Sequence, residues 1–379
     1  MTDLPLEGIV VLEFCQYLSG PSAALRLADL GARVIKIEKP GVGDAGRKLA
    51  IKNLWVDDDS LLYHTINRNK ESFAADLKNA GDLGYIKQLI GKADVLIHNF
   101  RPGVMDRAGL GYAAVQAINP RIIYAEISGY GKEGPWKDLP GQDLLLQSIT
   151  GLAYTTGNGS SAPVPFGIAI GDILAGSQLV QGILAALIRR QKTKTGALIE
   201  ISLMESLLDF QFELLTTYFA NGQQPQRSDI NNGHPLLNAP YGLYQTKNGH
   251  IALAMMEIPA LAAAIDCPAL QDASKEYAFS ERDRVKQVLA DHLVKQSSAY
   301  WIERLHENGL WAMEVLDWEN MMTQEAYRSL QMEQALTIPG GKIVTTRCPI
   351  RLNGKRLFSD RPAPALGNAN KTLLAELNK

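Results

Sequence analysis

Apolar positions along the chain alternate between two periods, and that alternation sets the fold class. Ile9 to Phe14 has the length of a buried strand, after which Gly20-Pro21 opens a helix with proline in its first turn. Gly31 closes that helix, and Val34 to Ile37 form the next strand. The theme recurs: Tyr85, Ile86, Leu89 and Ile90 share a helix face that stops near Gly91, Val95 to Ile97 read as a strand, and Arg121 to Ile127 give another after a turn at Asn119-Pro120. Strands alternating with helices predict an α/β fold whose mostly parallel sheet is covered on both faces.

Farther on, Leu174, Leu179, Ile183, Leu184, Leu187 and Ile188 repeat at helical spacing until the polar run Arg189 to Gly196. Ala197 to Ser202 then read as a strand and Leu203 to Phe219 as one helix. The polar segment Asn221 to His234 has linker composition, so a boundary falls there and residues 221–324 form a second, smaller domain. Within it, Lys247-Asn248-Gly249 between Gly242–Thr246 and Ala254's strand, His250 onward, predicts a hairpin, with helices from about Ile258 to Glu307. Residues from about 325 to 379 mix a short strand at Ile343 to Thr346, a Pro-rich segment at Arg361 to Leu366 and a terminal helix, and are expected to complete the first domain, residues 1–220.

A length of 379 residues favours two substructures over one core. The apolar stretch Gly167 to Ile188 approaches a membrane span but carries Asp172, Gln178 and Gln181, so a core helix is expected and no membrane association. A net charge of -2 gives no general attraction to nucleic acid. Three cysteines without CxxC spacing and six scattered histidines point to a reducing compartment and no structural metal. The start MTDLPLEG lacks an apolar signal core, which argues against a secretory signal, and a cytoplasmic location is expected.

Chemistry concentrates in a few segments. Gly41, Gly43 and Gly46 spell G-x-G-x-x-G after a strand, but Asp44 puts a carboxylate where a pyrophosphate would rest, so a surface loop is the reading taken. Arg33, Lys36, Lys39, Arg47, Lys70, Lys78, Arg101 and Arg107 recur at strand ends, where several could converge on phosphates or each could be a solvated charge. Asn99-Phe100-Arg101-Pro102-Gly103, directly after a strand, offers an amide, a ring and a guanidinium to a ligand. Gly171-Asp172 opens the long helix. Asp172 is either its N-cap or, ionised beside the helix N-terminus, a nucleophile; the two roles are compatible.

Together, Leu6-Glu7-Gly8-Ile9-Val10-Val11-Leu12-Glu13-Phe14, Leu18-Ser19-Gly20-Pro21, Gly31 to Gly41, Asn67-Arg68-Asn69-Lys70, Asp76-Leu77-Lys78, Ala93-Asp94-Val95, Asn99 to Gly103, Ser128-Gly129-Tyr130-Gly131 with Gly134-Pro135, Gly171-Asp172 and Ala239-Pro240-Tyr241 resemble the family III CoA-transferases, the CaiB/BaiF family. The likeness runs from the first strand to about Ala254. It implies a large Rossmann-like domain, a smaller α+β domain, and a homodimer of two interlocked rings. It also implies that coenzyme A, as acyl-CoA substrate and not as a resident cofactor, meets Gln16, Tyr17, Lys39, Lys78, Asn99, Phe100 and Arg107, while Asp172 attacks the thioester so that CoA passes to a carboxylic acid partner. Backbone amides at the helix start are the expected oxyanion donors.

The sequence departs from its relatives in three places. α-Methylacyl-CoA racemases share the Gly-Asp pair, but their second base, a histidine, falls on Gln142, which cannot shuttle a proton at neutral pH, so transfer is favoured over racemisation. Formyl-CoA transferases acting on oxalate often have glutamine at Leu18. Leu366-Gly367-Asn368-Ala369-Asn370 stands where many members have Leu-Gly-Glu-His-Thr. Asp143 either orients the site or caps a helix, and a non-catalytic CoA-binding subunit is the third reading.

Overall fold

Five apolar runs and one polar edge segment pair side by side into one parallel sheet. The structure, a computed structural model, describes residues 4–338, 341–359 and 361–378, apart from the side chains at 275 and 276. By internal contacts the chain divides into two units, one formed by 1–146, 169–210 and 330–379, the other by 147–168 and 211–329. The first unit is thus interrupted twice, where the sequence suggested one interruption at 221–324.

In the first unit the order is β1 (Val10–Phe14), α1 (Ser19–Asp29), β2 (Arg33–Glu38), the hairpin strands β3 (Trp55–Val56) and β4 (Asp59–Ser60), α2 (Leu61–Asn67), β5 (Lys70–Ala74), α3 (Ala80–Lys92), β6 (Val95–His98), α4 (Val104–Arg107), α5 (Tyr112–Ile118), β7 (Ile123–Ser128), the first turn of α6 (Asp143–Ile149), α7 (Ile170–Thr193), β8 (Ala197–Ser202) and α8 (Leu203–Phe210). The sheet runs β5-β2-β1-β6-β7-β8. Every pairing is parallel, as the alternating pattern predicts. One face is covered by α3 and α5, whose Ile86, Leu89, Ile90 and Val115 pack with Leu12, Phe14, Ile35 and Leu96.

Helix α7 packs against α1, β7 and β8 through Ala175, Leu179, Ile183 and Ala186, so the stretch long and apolar enough to span a membrane is a core helix. Two contacts fix its position. At its far end Arg190 Nη2 lies 2.8 Å from Asp94 Oδ1, and the other oxygen of Asp94 accepts from the Val10 amide at 2.9 Å. Near its start, a Cβ on Gly176 would stand 2.7 Å from the Ser19 carbonyl oxygen and 2.6 Å from Ser22 Oγ, so only glycine lets α1 approach this closely.

The second unit holds α9 (Phe212–Asn221), β9 (Gly242–Gln245), β10 (His250–Leu253), α10 (Ile258–Ala264), α11 (Lys275–Ser280), α12 (Arg282–Leu293), α13 (Ser298–Glu307), β11 (Ala312–Glu314), α14 (Trp318–Thr323) and most of α15 (Glu325–Leu330). The Asn-Gly hairpin is β9–β10, extended by β11 into an antiparallel sheet over a core that includes Tyr244, Ile251, Leu261, Leu289 and Trp301. The expected single helix from Leu203 to Phe219 is broken at Gln211, whose φ of -99° and ψ of 20° leave the helical region.

The C-terminal residues return to the first unit as two hairpins, β12 (Glu333–Ile338) with β13 (Gly341–Thr346) and β14 (Cys348–Leu352) with β15 (Lys355–Leu357), then α16 (Asn370–Leu377). Their last turn covers the open edge of β5. Asn368 Oδ1 accepts from the Ser72 amide at 2.9 Å, the Ala369 amide donates to the Ser72 carbonyl at 3.0 Å, and Asn370 spans Ala74, taking its amide at 2.8 Å and giving to its carbonyl at 2.9 Å. Two asparagine side chains imitate a neighbouring strand where main chain would otherwise be left unpaired.

Candidate active site

In the strand order the chain moves outward from β1 to β2 and β5, then restarts on the other side of β1 at β6. The switch point therefore lies between β1 and β6, and open parallel sheets bind ligands in the crevice beyond the strand ends at such a point. Asn99, just past β6, bridges that crevice: its Oδ1 accepts from the Gln16 amide at 2.9 Å and its Nδ2 donates to the Gln16 carbonyl at 2.8 Å. The same Nδ2 lies 3.4 Å from Ser19 Oγ at the start of α1.

The other candidates ride on segments leaving the same sheet edge. Tyr17 is exposed with φ of 63°, its amide donating to Asp44 Oδ1 at 3.1 Å. Lys39 follows β2, Lys78 follows β5 and Arg107 ends α4, and all three are exposed. Phe100 is half-buried, stacked on the His98 ring at a centroid distance of 6.4 Å.

The remaining basic residues divide by burial. Lys36 and Lys70 are wholly inside: Lys36 Nζ sits 2.8 Å from both Glu13 Oε1 and Asp44 Oδ2, and Lys70 Nζ 2.9 Å from Glu13 Oε2. Arg47 is spent on Glu38, Asp59 and Tyr63, and Arg33 on Glu71 and Glu376. These four hold the sheet edge together and are not positioned to meet phosphates. Asp44, the carboxylate inside the glycine-rich loop, is turned inward onto Lys36 and the Gly46 amide at 2.8 Å, so the loop folds around its own acid.

Asp172 stands in the first turn of α7, three residues past the N-cap position. The cap position is Ala169, and the helix is capped by a different residue: Asp143 Oδ1, at the head of α6, accepts from the Gly171 amide at 2.7 Å and the Asp172 amide at 3.3 Å. A Cβ at Gly171 would lie 2.9 Å from that oxygen, which explains the glycine before the aspartate. Of the two readings of Asp143, helix capping is the one observed, and the acid caps a helix other than its own. The amides expected to serve as oxyanion donors are therefore engaged, and the Ile173 amide is bonded to the Ala169 carbonyl.

The Asp172 carboxyl is free of capping and stands near the Ser19 hydroxyl. Burial lifts its pKa from 3.8 to about 6, the Asp143 carboxylate adds to the rise, and the polar Ser19 hydroxyl opposes it. At pH 7 such a group is about nine-tenths ionised. It is more basic than an ordinary aspartate, and hence more nucleophilic, while still charged. Gln142, exposed, precedes Asp143. Ser19 had no signal in the sequence beyond its place before Gly20-Pro21.

A profile of CoA-transferase family III matches residues 6–370. This chain belongs to CoA-transferase family III. Acetyl-CoA:oxalate CoA-transferase of Acetobacter aceti is 33% identical over 384 residues, covering 98% of this chain and 95% of its own. Human succinyl-CoA:glutarate CoA-transferase is 30% identical over 382 residues, covering 98% and 86%. The crystal structure of a CAIB/BAIF family protein from Brucella suis superposes with a TM-score of 0.85 at 28% identity, covering 99% of both chains. The protein is thus a CoA-transferase, a family III enzyme acting on acyl-CoA, and its relatives differ in the acids they use.

Proposed function

We propose that this family III enzyme moves CoA from an acyl-CoA to a carboxylic acid by double displacement on Asp172. The observation that carries the reading is the position of this one carboxylate in the first turn of α7, raised in basicity and near Ser19, a residue that meets the Asn99 bridge at the switch point of the sheet. Asp172 attacks the thioester carbonyl, the C–S bond breaks, and a mixed anhydride and CoA thiolate result. The thiolate attacks the aspartyl carbonyl and expels the donor acid as its carboxylate, leaving an aspartyl-CoA thioester. The acceptor carboxylate attacks that thioester to give a second anhydride and thiolate. Attack of the thiolate on the acceptor's acyl carbon delivers the new acyl-CoA and returns Asp172 as a free carboxylate.

Gln16, Tyr17, Lys39, Lys78, Asn99, Phe100 and Arg107 are the proposed CoA contacts, with the exposed Lys39, Lys78 and Arg107 facing phosphates as point charges or forks. The acceptor is a small or medium carboxylic acid. The proposed assembly is an interlocked homodimer, supported by large apolar side chains left open on the second unit: Phe219 is 76% exposed, Trp311 73% and Trp318 81%. The three cysteines are unpaired and buried, in keeping with a cytoplasmic setting.

Incubating purified protein with acyl-CoA donors and a panel of acids, followed by mass spectrometry, tests the reading. CoA exchange is expected, lost in Asp172→Ala, and hydroxylamine trapping should label Asp172. Full exchange by Asp172→Ala refutes the assignment. Racemisation would instead put deuterium on Cα from heavy water, and with Gln142 in place of a second base none is expected.

A further inference from the structure

The turn from β1 into α1 is held by side chains that reach in from the other strands. Lys36 on β2 donates to the Cys15 carbonyl at 2.9 Å, and Asn99 after β6 takes both main-chain polar groups of Gln16. Lys70 on β5 donates to the Pro21 carbonyl at 2.9 Å, inside the first turn of α1. Between these anchors stands Tyr17, whose φ of 63° lies in the left-handed region that L side chains avoid. Such a residue keeps its conformation only where its surroundings hold it there.

The hold on Tyr17 is Asp44, the acid that interrupts the glycine-rich motif. Its carboxylate is buried: Oδ1 accepts from the Tyr17 amide at 3.1 Å and the Gly46 amide at 2.8 Å, while Oδ2 lies 2.8 Å from Lys36 Nζ. Lys36 divides its three donors among Glu13, Asp44 and the Cys15 carbonyl, so one ammonium grips both the acid and the turn. The glycines fit around this arrangement. A Cβ on Gly43 would stand 2.6 Å from the Arg47 side chain, and one on Gly46 would stand 3.2 Å from Asp44 Oδ1 and 3.7 Å from Tyr17 Cα. Lys39 is tied to the same loop, its carbonyl accepting from the Gly43 amide at 2.8 Å.

We propose that Asp44 is a positioning residue for acyl-CoA: by joining the Tyr17 amide to the Gly46 amide it makes the β1–α1 turn and the glycine-rich loop one rigid rim of the crevice, which presents Gln16, Tyr17 and Lys39 together. This rests on the reading of those three residues as CoA contacts. Asp44 is enclosed and meets no substrate itself. The amides that an incoming phosphate would seek in such a loop are filled by the chain's own anion, and the motif serves to brace a neighbouring turn. A turn that is not held takes its binding form only part of the time, and apparent affinity falls by that fraction.

Removing Asp44 alone would strand the Lys36 charge, so the test uses Lys36→Met as the parent and adds Asp44→Asn or Asp44→Ala in the full-length chain. Both double variants keep Glu13 paired with Lys70 and carry the same charge, and they differ in whether position 44 offers an acceptor oxygen. In calorimetric titration with CoA the Asn variant should bind within about twofold of the parent and the Ala variant about tenfold more weakly. KM for acyl-CoA should follow, with kcat within about twofold, a split that general loss of structure would not produce. Equal CoA affinity in the folded Asn and Ala variants overturns the positioning role. Amide hydrogen exchange of the wild-type chain, followed residue by residue without ligand, needs no variant: the Tyr17 amide should be protected, and exchange at the rate of a free peptide overturns the tie even where the Ala variant does not fold. If Gln16→Ala, Tyr17→Ala and Lys39→Ala all leave CoA affinity unmoved, the contact reading fails instead, whatever the exchange shows.

Discussion

Replacing Asp172 by asparagine should stabilise the protein, and by an amount that depends on pH in one direction. The carboxyl titrates near 6 in the folded chain against 3.8 ordinarily, because burial and the Asp143 charge both disfavour its ionised form. Between those values the native state holds more protons than the unfolded state, so stability falls as pH rises through the window. The rise corresponds to about 3 kcal/mol at pH 8, an upper bound because the partly open site relaxes. Asparagine keeps the shape and never ionises. Denaturant unfolding of both proteins from pH 3.5 to 8 should show the variant gaining on wild type steadily above pH 4 and levelling beyond pH 7. A difference that stays flat across this range would mean that Asp172 is solvated like a surface acid, and the account of its basicity would fail.

Other expectations follow from the same geometry. The exchange rate should fall on an acid limb with midpoint near 6, since the protonated acid cannot attack, and Asp143→Asn, which keeps an acceptor oxygen but removes a charge, should move that limb to lower pH; a pH profile of kcat/KM reads both. Lys78→Ala and Arg107→Ala should each raise KM for acyl-CoA several-fold with kcat nearly unchanged, and the loss should shrink with a dephosphorylated CoA analogue, as steady-state kinetics can show. Glu13→Gln strips the shared partner from two enclosed lysines and should cost about 3–5 kcal/mol, measured by urea unfolding.

The alternation of strand and helix was legible because the other five sheet strands are apolar runs close to glycine, proline or asparagine, and the Asn-Gly hairpin carried its own turn chemistry. The edge strand β5 was not, since Lys70-Glu71-Ser72 is polar: its lysine is neutralised by Glu13, a residue 57 positions away in sequence, and no local pattern announces a buried cation. The same holds for Lys36, which reads as a surface charge and is in fact among the most enclosed side chains. At the site, the Gly-Asp pair was visible, but the reason for it was not. Only the fold brings Asp143 across 28 residues to cap α7, which takes the capping duty from Asp172, and only the approach of α1 at Gly176 sets Ser19 beside it. The asparagines at 368 and 370, a departure from the family pattern by sequence, proved to be strand mimics.

Those asparagines have a consequence for how the polypeptide is made. Ser72 meets Asn368 across 296 residues, so the outermost strand emerges from the ribosome long before its cover is synthesised. At roughly 5–20 residues per second the interval is on the order of 15 s or more, during which a row of unpaired amides and carbonyls stands open to other nascent chains. Chaperone demand should therefore peak before the final dozen residues appear, and a product cut short at about 365 should accumulate as insoluble material even though all six strands are present.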